Sequence, residues 1–106
     1  MAQTVFEVAE LPESGIEASA AFHARHLADA RGALDDDGVD ALAIVLPATG
    51  DDHDDWRRAL ARDLARAHTP KRVNVVSGPV GPARQTLLAY LEGAPGVTGQ
   101  YHRAHD

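Results

Sequence analysis

The chain contains no cysteine, so disulfide bonds and thiolate chemistry are both excluded. No apolar run approaches the roughly 20 residues that a membrane-spanning helix needs. The opening segment MAQTVFEVAE carries neither the basic segment nor the long apolar stretch of a secretory signal. These absences predict a soluble, cytoplasmic protein without membrane association. The net charge of −6 argues against nucleic-acid binding, which depends on neutralising phosphates with cations.

Aromatic residues are also scarce, at 5% of the 106 residues, and much of the 44% hydrophobic content is alanine. Alanine fills space but buries little area, so we expect one domain, residues 1–106, with a thin core. A thin core favours self-association, because a second copy can bury apolar surface that one chain leaves exposed. We therefore predict a homodimer or a higher homo-oligomer.

Hydrophobic periodicity predicts three strands, each followed by a helix. The strands are expected at residues 4–11, 41–46 and 72–78, and the helices at 15–34, 54–68 and 83–92. On the first helix, Ile16, His23 and Leu34 fall on the same apolar stripe. The order β-α-β-α-β-α predicts an α/β fold, a minimal three-stranded parallel sheet of Rossmann-like type. The tail after residue 93 is polar and rich in turn formers.

The predicted topology raises the question of what covers the second face of the sheet. Right-handed crossovers place the first two helices on the same face, so only the third helix can cover the other. Residues 41–46, ALAIVL, are apolar throughout, which is typical of a strand buried on both faces. Either the third helix covers the second face alone or a second subunit assists it. We expect the oligomer contact to use helices 1 and 2 or the open sheet face.

Three segments of the second half carry a family resemblance. They are ALARDLARAHTPKRVNVV, SGPVGP and LLAYLEGAPGVTGQ. The first resembles a helix ending in Leu-Ala-x-Glu-Leu-Ala followed by an Arg-Val-Asn-x-Val strand. The second stands where a Pro-Gly loop borders the nicotinamide, and the third resembles a late helix followed by Val-Thr-Gly-Gln. Residues 59–100 thus resemble the C-terminal half of the short-chain dehydrogenase/reductase family, with a looser match at 41–46. The resemblance implies a Rossmann-like fold and pairing through the long helices.

The residues that carry the family's redox chemistry are missing. The first strand is followed by PESGIEAS, with one glycine instead of the family's Thr-Gly-x-x-x-Gly-x-Gly turn, and Asn-Asn-Ala-Gly is absent. The catalytic Tyr-x-x-x-Lys cannot exist, because Lys71 is the only lysine and Ala67 stands four residues before it. In that pair the lysine lets the tyrosine exchange a proton with substrate. We expect no catalytic residues and no cofactor.

A ligand pocket, if the domain has one, is predicted beyond the carboxyl ends of the strands, where open α/β sheets bind ligands. Thr49 and Gly50 follow the second strand, Ser77 and Gly78 end the third, and Arg84 on the next helix could reach the same edge. Ser77 is the best-placed candidate nucleophile. No Gly-x-Ser-x-Gly surrounds it, so a strand-end serine in a turn is the favoured interpretation.

The six histidines suggest a metal hypothesis. His102 and His105 are three residues apart, as are His23 and His26, and His53 lies among aspartates. Zinc requires three or four ligands that converge in a fixed geometry. A polar terminus and an acidic turn do not fix such a geometry, so we expect no metal site. His23 is expected in the core or at an interface.

The favoured hypothesis is a non-catalytic, homo-oligomeric structural or interaction module. The alternative is a small-molecule or nucleotide-binding domain, or a regulatory subunit that partners a full-length dehydrogenase. A small hydrolase that uses Ser77 is the third hypothesis.

Overall fold

Four parallel strands in the order β1-β2-β3-β4 form the centre of the computed structural model, which describes residues 3–105. The strands are β1 (Gln3–Glu7), β2 (Ala41–Leu46), β3 (Arg72–Ser77) and β4 (Tyr101–Arg103). The helices are α1 (Gly15–Arg25), α2 (Leu27–Asp35), α3 (Asp54–Ala67) and α4 (Pro82–Glu92), with a short 3-10 turn at Asp51–His53. The predicted α/β, Rossmann-like parallel fold is therefore confirmed. No helix in residues 3–105 combines the length and apolar character needed to cross a membrane.

The predicted count of three strands is wrong, because the tail adds β4 beside β3. No apolar run marks this strand, whose sequence is YHR. Hydrogen bonds from β3 guide the tail into place instead. The Asn74 side chain donates to the Val97 carbonyl at 3.0 Å and accepts from the Gln100 N–H at 3.1 Å. The Thr98 hydroxyl accepts from the Val73 N–H at 3.0 Å.

The helix predicted over residues 15–34 is divided at His26, which has φ −121° and ψ −22°. The His26 N–H still donates to the Phe22 carbonyl at 2.8 Å, so the path bends without a loop. The bend allows Phe22 of α1 and Leu34 of α2 to be buried together in the core. The prediction that Ile16 lies on the buried stripe is wrong, since Ile16 is 86% exposed and Ala18 is buried instead.

Alternating side chains divide the sheet into two faces. The first face packs with α1, α2 and α3 through Leu42, Ile44, Leu46, Val73 and Val75. The second face lies under α4, and its buried apolar residues are Ala41, Ala43, Val45 and Val76. All of these are at most 2% exposed, and Leu91 of α4 is fully buried. Thus the first of the two predicted alternatives is observed, because α4 covers the second face of β2 without a second subunit. The sheet face that was expected to be open for an oligomer contact is closed at β2.

The position of α4 has a consequence for chain topology. It lies opposite α1–α3, although β4 extends the sheet in the same direction as β2 and β3. The β3–α4–β4 connection therefore has the opposite hand to the two connections before it, a departure from the usual rule. Arg72 stabilises this arrangement, because its guanidinium donates to the carbonyls of Leu91 at 2.8 Å and Ala94 at 3.0 Å. A cation is favourable at such a helix C-terminus.

The start of α1 is tied to the 3-10 turn by close backbone contact. The Gly15 N–H donates to the Asp52 carboxylate at 2.9 Å, and Ser14 caps the helix by accepting from the Glu17 N–H at 3.2 Å. A Cβ on Gly15 would lie 2.2 Å from the Asp52 carbonyl oxygen. Glycine is required here because the neighbouring atom belongs to the backbone and cannot rotate away.

We expect Gly15→Ala to lower the free energy of unfolding by about 2–3 kcal/mol, because this overpacking cannot relax. Gly32→Ala is the matched control, since nothing lies within 4 Å of its Cβ position in α2. It should raise stability by about 0.5–1 kcal/mol through helix propensity. Urea unfolding followed by circular dichroism measures both changes. Equal effects of the two substitutions would contradict the steric account.

Candidate functional site

A cleft of about 260 Å³ opens where the carboxyl ends of β1, β2 and β3 meet. Its walls are residues 8–9 after β1, residues 47–48 after β2 and residues 78–80 after β3, with Arg84 contributed by α4. This is the edge at which open α/β sheets bind ligands. The fold therefore provides a cavity where the sequence predicted one.

The electrostatics of the cleft are nearly neutral. Arg84 and Glu7 are its only charged lining residues, and the Arg84 guanidinium lies 3.3 Å from Glu7 Oε2. The Arg84 side chain is 12% exposed, so the pair is partly desolvated. Glu7 therefore offsets the charge of Arg84. The remaining walls of the cleft are mostly apolar. Such a cleft fits an uncharged small molecule better than the phosphates of a nucleotide.

The five predicted pocket residues do not form one pocket. Gly78 and Arg84 line the cleft. Thr49 borders a second depression, beside the segment 9–13, and Gly50 borders a third, beside Asp52. Ser77 is 3% exposed and turns towards α3. The segment after β2, which the sequence did point to, contributes residues 47–48 to the cleft, whereas residues 8–9 after β1 were not singled out.

Glycine at position 78 is required by the backbone. It has φ +142°, and a Cβ there would lie 2.9 Å from the Ala104 Cβ. The loop after β3 therefore packs closely against the segment that follows β4. This contact fixes the path by which residues 78–80 form one wall of the cleft.

A polar cluster lies beside Ser77, on the face of the sheet that packs against α1–α3. The Ser77 hydroxyl and the Tyr101 phenol oxygen are 2.9 Å apart. Arg57 is fully buried and donates from Nη1 to the Tyr101 oxygen at 3.3 Å and to the Pro47 carbonyl at 3.0 Å. No carboxylate of residues 3–105 forms an ion pair with it. Its guanidinium lies 5.4 Å from the Trp56 ring centre and 5.8 Å from that of Tyr101, so cation–π contacts replace an ion pair.

Arg103 continues this cluster to the surface. It pairs with Asp54 at the start of α3 and, at 3.1 Å, with Asp51. The hydrogen bond with Asp54 raises the pKa of Arg103 above its usual value. Together these contacts fasten β4 to α3. The cluster has hydroxyl, phenol and guanidinium groups, but its residues line none of the three depressions described above.

Sequence reasoning missed the roles of Arg57 and Tyr101. Neither residue was singled out from the sequence, where Arg57 is one of several arginines on its helix and Tyr101 lies in the polar tail. One signal was present, since Arg57 precedes Leu60, Ala61 and Leu64 by three, four and seven residues, the spacing of a buried helical stripe.

His23, His53 and His102 are each held by hydrogen bonds of their own. His53 is buried, its Nε2 lies 2.7 Å from the Glu13 carbonyl, and its Nδ1 accepts from Trp56 Nε1 at 3.4 Å. The prediction that His23 lies in the core is wrong, because its side chain is exposed. Its Nδ1 lies 2.7 Å from the Ser19 carbonyl of its own helix. Within residues 3–105, no three His, Asp or Glu side chains form a group that could hold a metal ion.

We expect Tyr101→Phe to lower the free energy of unfolding by about 1–3 kcal/mol. Removal of the phenol oxygen leaves a buried Arg57 N–H and the Ser77 hydroxyl without a partner. Tyr90→Phe on α4 is the matched control, because Tyr90 is 56% exposed and its change should stay within about 0.5 kcal/mol. Urea unfolding measures both. A Tyr101→Phe protein as stable as the Tyr90→Phe protein would show that the cluster does not stabilise the fold.

The chain was compared with known proteins. Residues 6–104 match the model of a family described as short chain dehydrogenase-like protein. The match extends well beyond residues 59–100, where the sequence motifs carry the resemblance. No curated protein and no solved structure is significantly similar to the chain.

Proposed function

Because the chain belongs to the short-chain dehydrogenase-like family, we propose that it is a non-catalytic member that works as a homo-oligomeric structural or interaction module. One observation carries this proposal. An apolar groove of about 240 Å³ lies on the outer side of the helical layer, between α2 and α3. Leu27, Leu60, Leu64 and Ala67 line it together with the polar side chains of His23, Arg31 and Asp63, and Leu60 and Leu64 are almost fully buried. Such a groove can receive apolar side chains from a second helical layer.

The positions of Lys71 and of the partly buried Tyr101 support the non-catalytic part of the proposal. Lys71 precedes β3, at the end of the sheet away from the cleft, and its Nζ bonds the carbonyls of Leu34 and Asp36. The Tyr101 phenol bonds Ser77 and Arg57. The chain's lysine and this tyrosine therefore have structural partners, and neither lines the cleft.

The charges of the groove favour a second copy of the chain as its occupant. Arg31 of α2 lies on one side of the groove and Asp63 of α3 on the other, and both are exposed. A two-fold axis along the groove places α2 of one copy over α3 of the other. Arg31 of each copy then faces Asp63 of its partner, so the rim is self-complementary in charge.

We expect Arg31→Glu and Asp63→Arg each to weaken self-association about tenfold, because each change replaces attraction by repulsion at both ends of the interface. The double variant Arg31→Glu/Asp63→Arg restores opposite charges and should recover the association. Light scattering after size-exclusion chromatography, over a concentration series, gives the masses. Arg25→Glu on α1 is the control, since Arg25 is exposed and outside the groove.

A double variant that associates no better than the single variants would contradict this mode of assembly. A wild-type protein that stays monomeric at every concentration would contradict the proposal itself.

The second candidate function is a small-molecule-binding or regulatory domain, which the cleft at the strand ends favours. A ligand that binds the folded state raises its melting temperature in a saturable way. We expect no such rise with NAD(H) or NADP(H), because the cleft offers phosphates no net positive charge. A thermal-shift screen with these cofactors and with uncharged small molecules tests this.

Any ligand that raises the melting temperature is tested again with Ala48→Trp, which fills the cleft. Ala28→Trp, on the exposed side of α2, is the control. A saturable shift that Ala48→Trp abolishes and Ala28→Trp retains would favour the binding domain over the module. Such a shift with a nicotinamide cofactor would show in addition that the cleft accepts phosphates without net positive charge.

A further inference from the structure

The strand β1 is an edge of the sheet with free backbone groups. The Val8 N–H donates to the Val45 carbonyl at 2.9 Å. Because alternate residues of a parallel strand bond to one neighbour, Thr4 and Phe6 face β2 in the same way. Val5 and Glu7 therefore turn their N–H and C=O groups away from the sheet. In residues 3–105 no strand lies on that side of β1.

The side chains at this edge are suited to pairing with another strand. Val5 lies on the face covered by α4 and is 48% exposed, one of the few large apolar side chains at the surface. The opposite edge of the sheet is different. There β4 has three residues, and Arg103 is engaged with Asp51 and Asp54. Short edge strands resist pairing, so β1 is the edge that favours it.

The helix α4 flanks β1 with charges in a defined order. Arg84 contacts Glu7 at the end of the strand, at 3.3 Å. Glu92 approaches the Gln3 N–H at the start of the strand, at 3.4 Å. Between them, the Leu88 carbonyl accepts from the Gln3 side chain at 3.1 Å. The helix therefore runs antiparallel to β1, with the cation Arg84 beside the end of the strand and the anion Glu92 beside its start.

We propose that two copies of the chain pair antiparallel along β1, about a two-fold axis at Val5, and join two sheets of four strands into one. Val5 of each copy exchanges both backbone hydrogen bonds with Val5 of the other, because both of its groups point outward. Gln3 faces Glu7 of the second copy by the same register.

The charges on α4 are what select a second copy as the partner. The two-fold rotation that pairs Val5 of one copy with Val5 of the other also reverses the order of Arg84 and Glu92 along the second α4. Arg84 of each copy then lies beside Glu92 of the other, so that opposite charges meet at both ends of the interface. This interface shares no residue with the groove between α2 and α3. It therefore does not depend on the proposed groove contact.

The absence of cysteine allows a direct test by cross-linking. Val5→Cys places two thiols at facing positions about 5.5 Å apart between Cα atoms, within disulfide range. We expect a linked dimer under mild oxidation, detected by intact mass. Gln3→Cys alone should not link, because four residue steps separate the two copies of position 3 by about 14 Å. Mixing Gln3→Cys with Glu7→Cys should give a linked heterodimer.

Ile16→Cys is the control for random collision, since Ile16 is 86% exposed and lies outside β1. Linking of Val5→Cys no faster than that of Ile16→Cys would overturn the proposal. So would preferential linking of Gln3→Cys to itself, which indicates another register. Capture of a different protein from the host, in place of self-linking, would also overturn it.

A second variant tests the interface without oxidation. Val5→Lys brings two like charges together at the axis, and we expect the association constant to fall at least tenfold, with Ile16→Lys as control. An unchanged mass would overturn the edge interface. Arg31→Glu changes only the groove, so loss of association in Arg31→Glu but not in Val5→Lys would support the groove and overturn the edge. The reverse result would support the edge and contradict the groove.

Discussion

Burial of both faces of β2 is the constraint on which the rest of the structure depends. All six of its residues are apolar and at most 2% exposed, so the sheet needs helices on both sides. One side is covered by α1–α3 and the other by α4 alone, which gives the β3–α4–β4 connection its unusual hand. Apolar packing alone does not place β4. Polar contacts of Arg57, Arg72 and Asn74 position the segment that contains it.

The same arrangement separates the surfaces that could carry function. The helical layer of α1–α3 presents a groove outward, and the strand ends enclose a nearly neutral cleft. Within residues 3–105, β1 has β2 on one side and no strand on the other. The cluster of Ser77, Tyr101 and Arg57 joins α3 to the sheet and lies away from the cleft. These features fit the proposed role of a family member that assembles rather than one that transfers hydride.

The sequence predicted the parallel α/β fold because β2, β3 and α3 have strong local patterns. It could not predict β4, whose Tyr-His-Arg sequence pairs through backbone groups and has no apolar alternation. The helical spacing of Arg57 from Leu60 and Leu64 indicates its buried side, but its partners Pro47 and Tyr101 come from distant segments that local pattern cannot bring together. A cleft does lie at the edge of the sheet where the sequence predicted a ligand pocket. Which way each side chain turns depends on tertiary packing, so Ser77 turned to α3 while Gly78 lined the cleft.

Native mass spectrometry of the tagged protein, isolated gently from its host, tests the central claim most directly. The account predicts assemblies whose masses are whole multiples of this one chain, with no other protein present. A complex that contains a full-length dehydrogenase would contradict the self-contained module and identify the chain as a subunit of an active enzyme. A monomer under the same conditions would contradict self-assembly altogether.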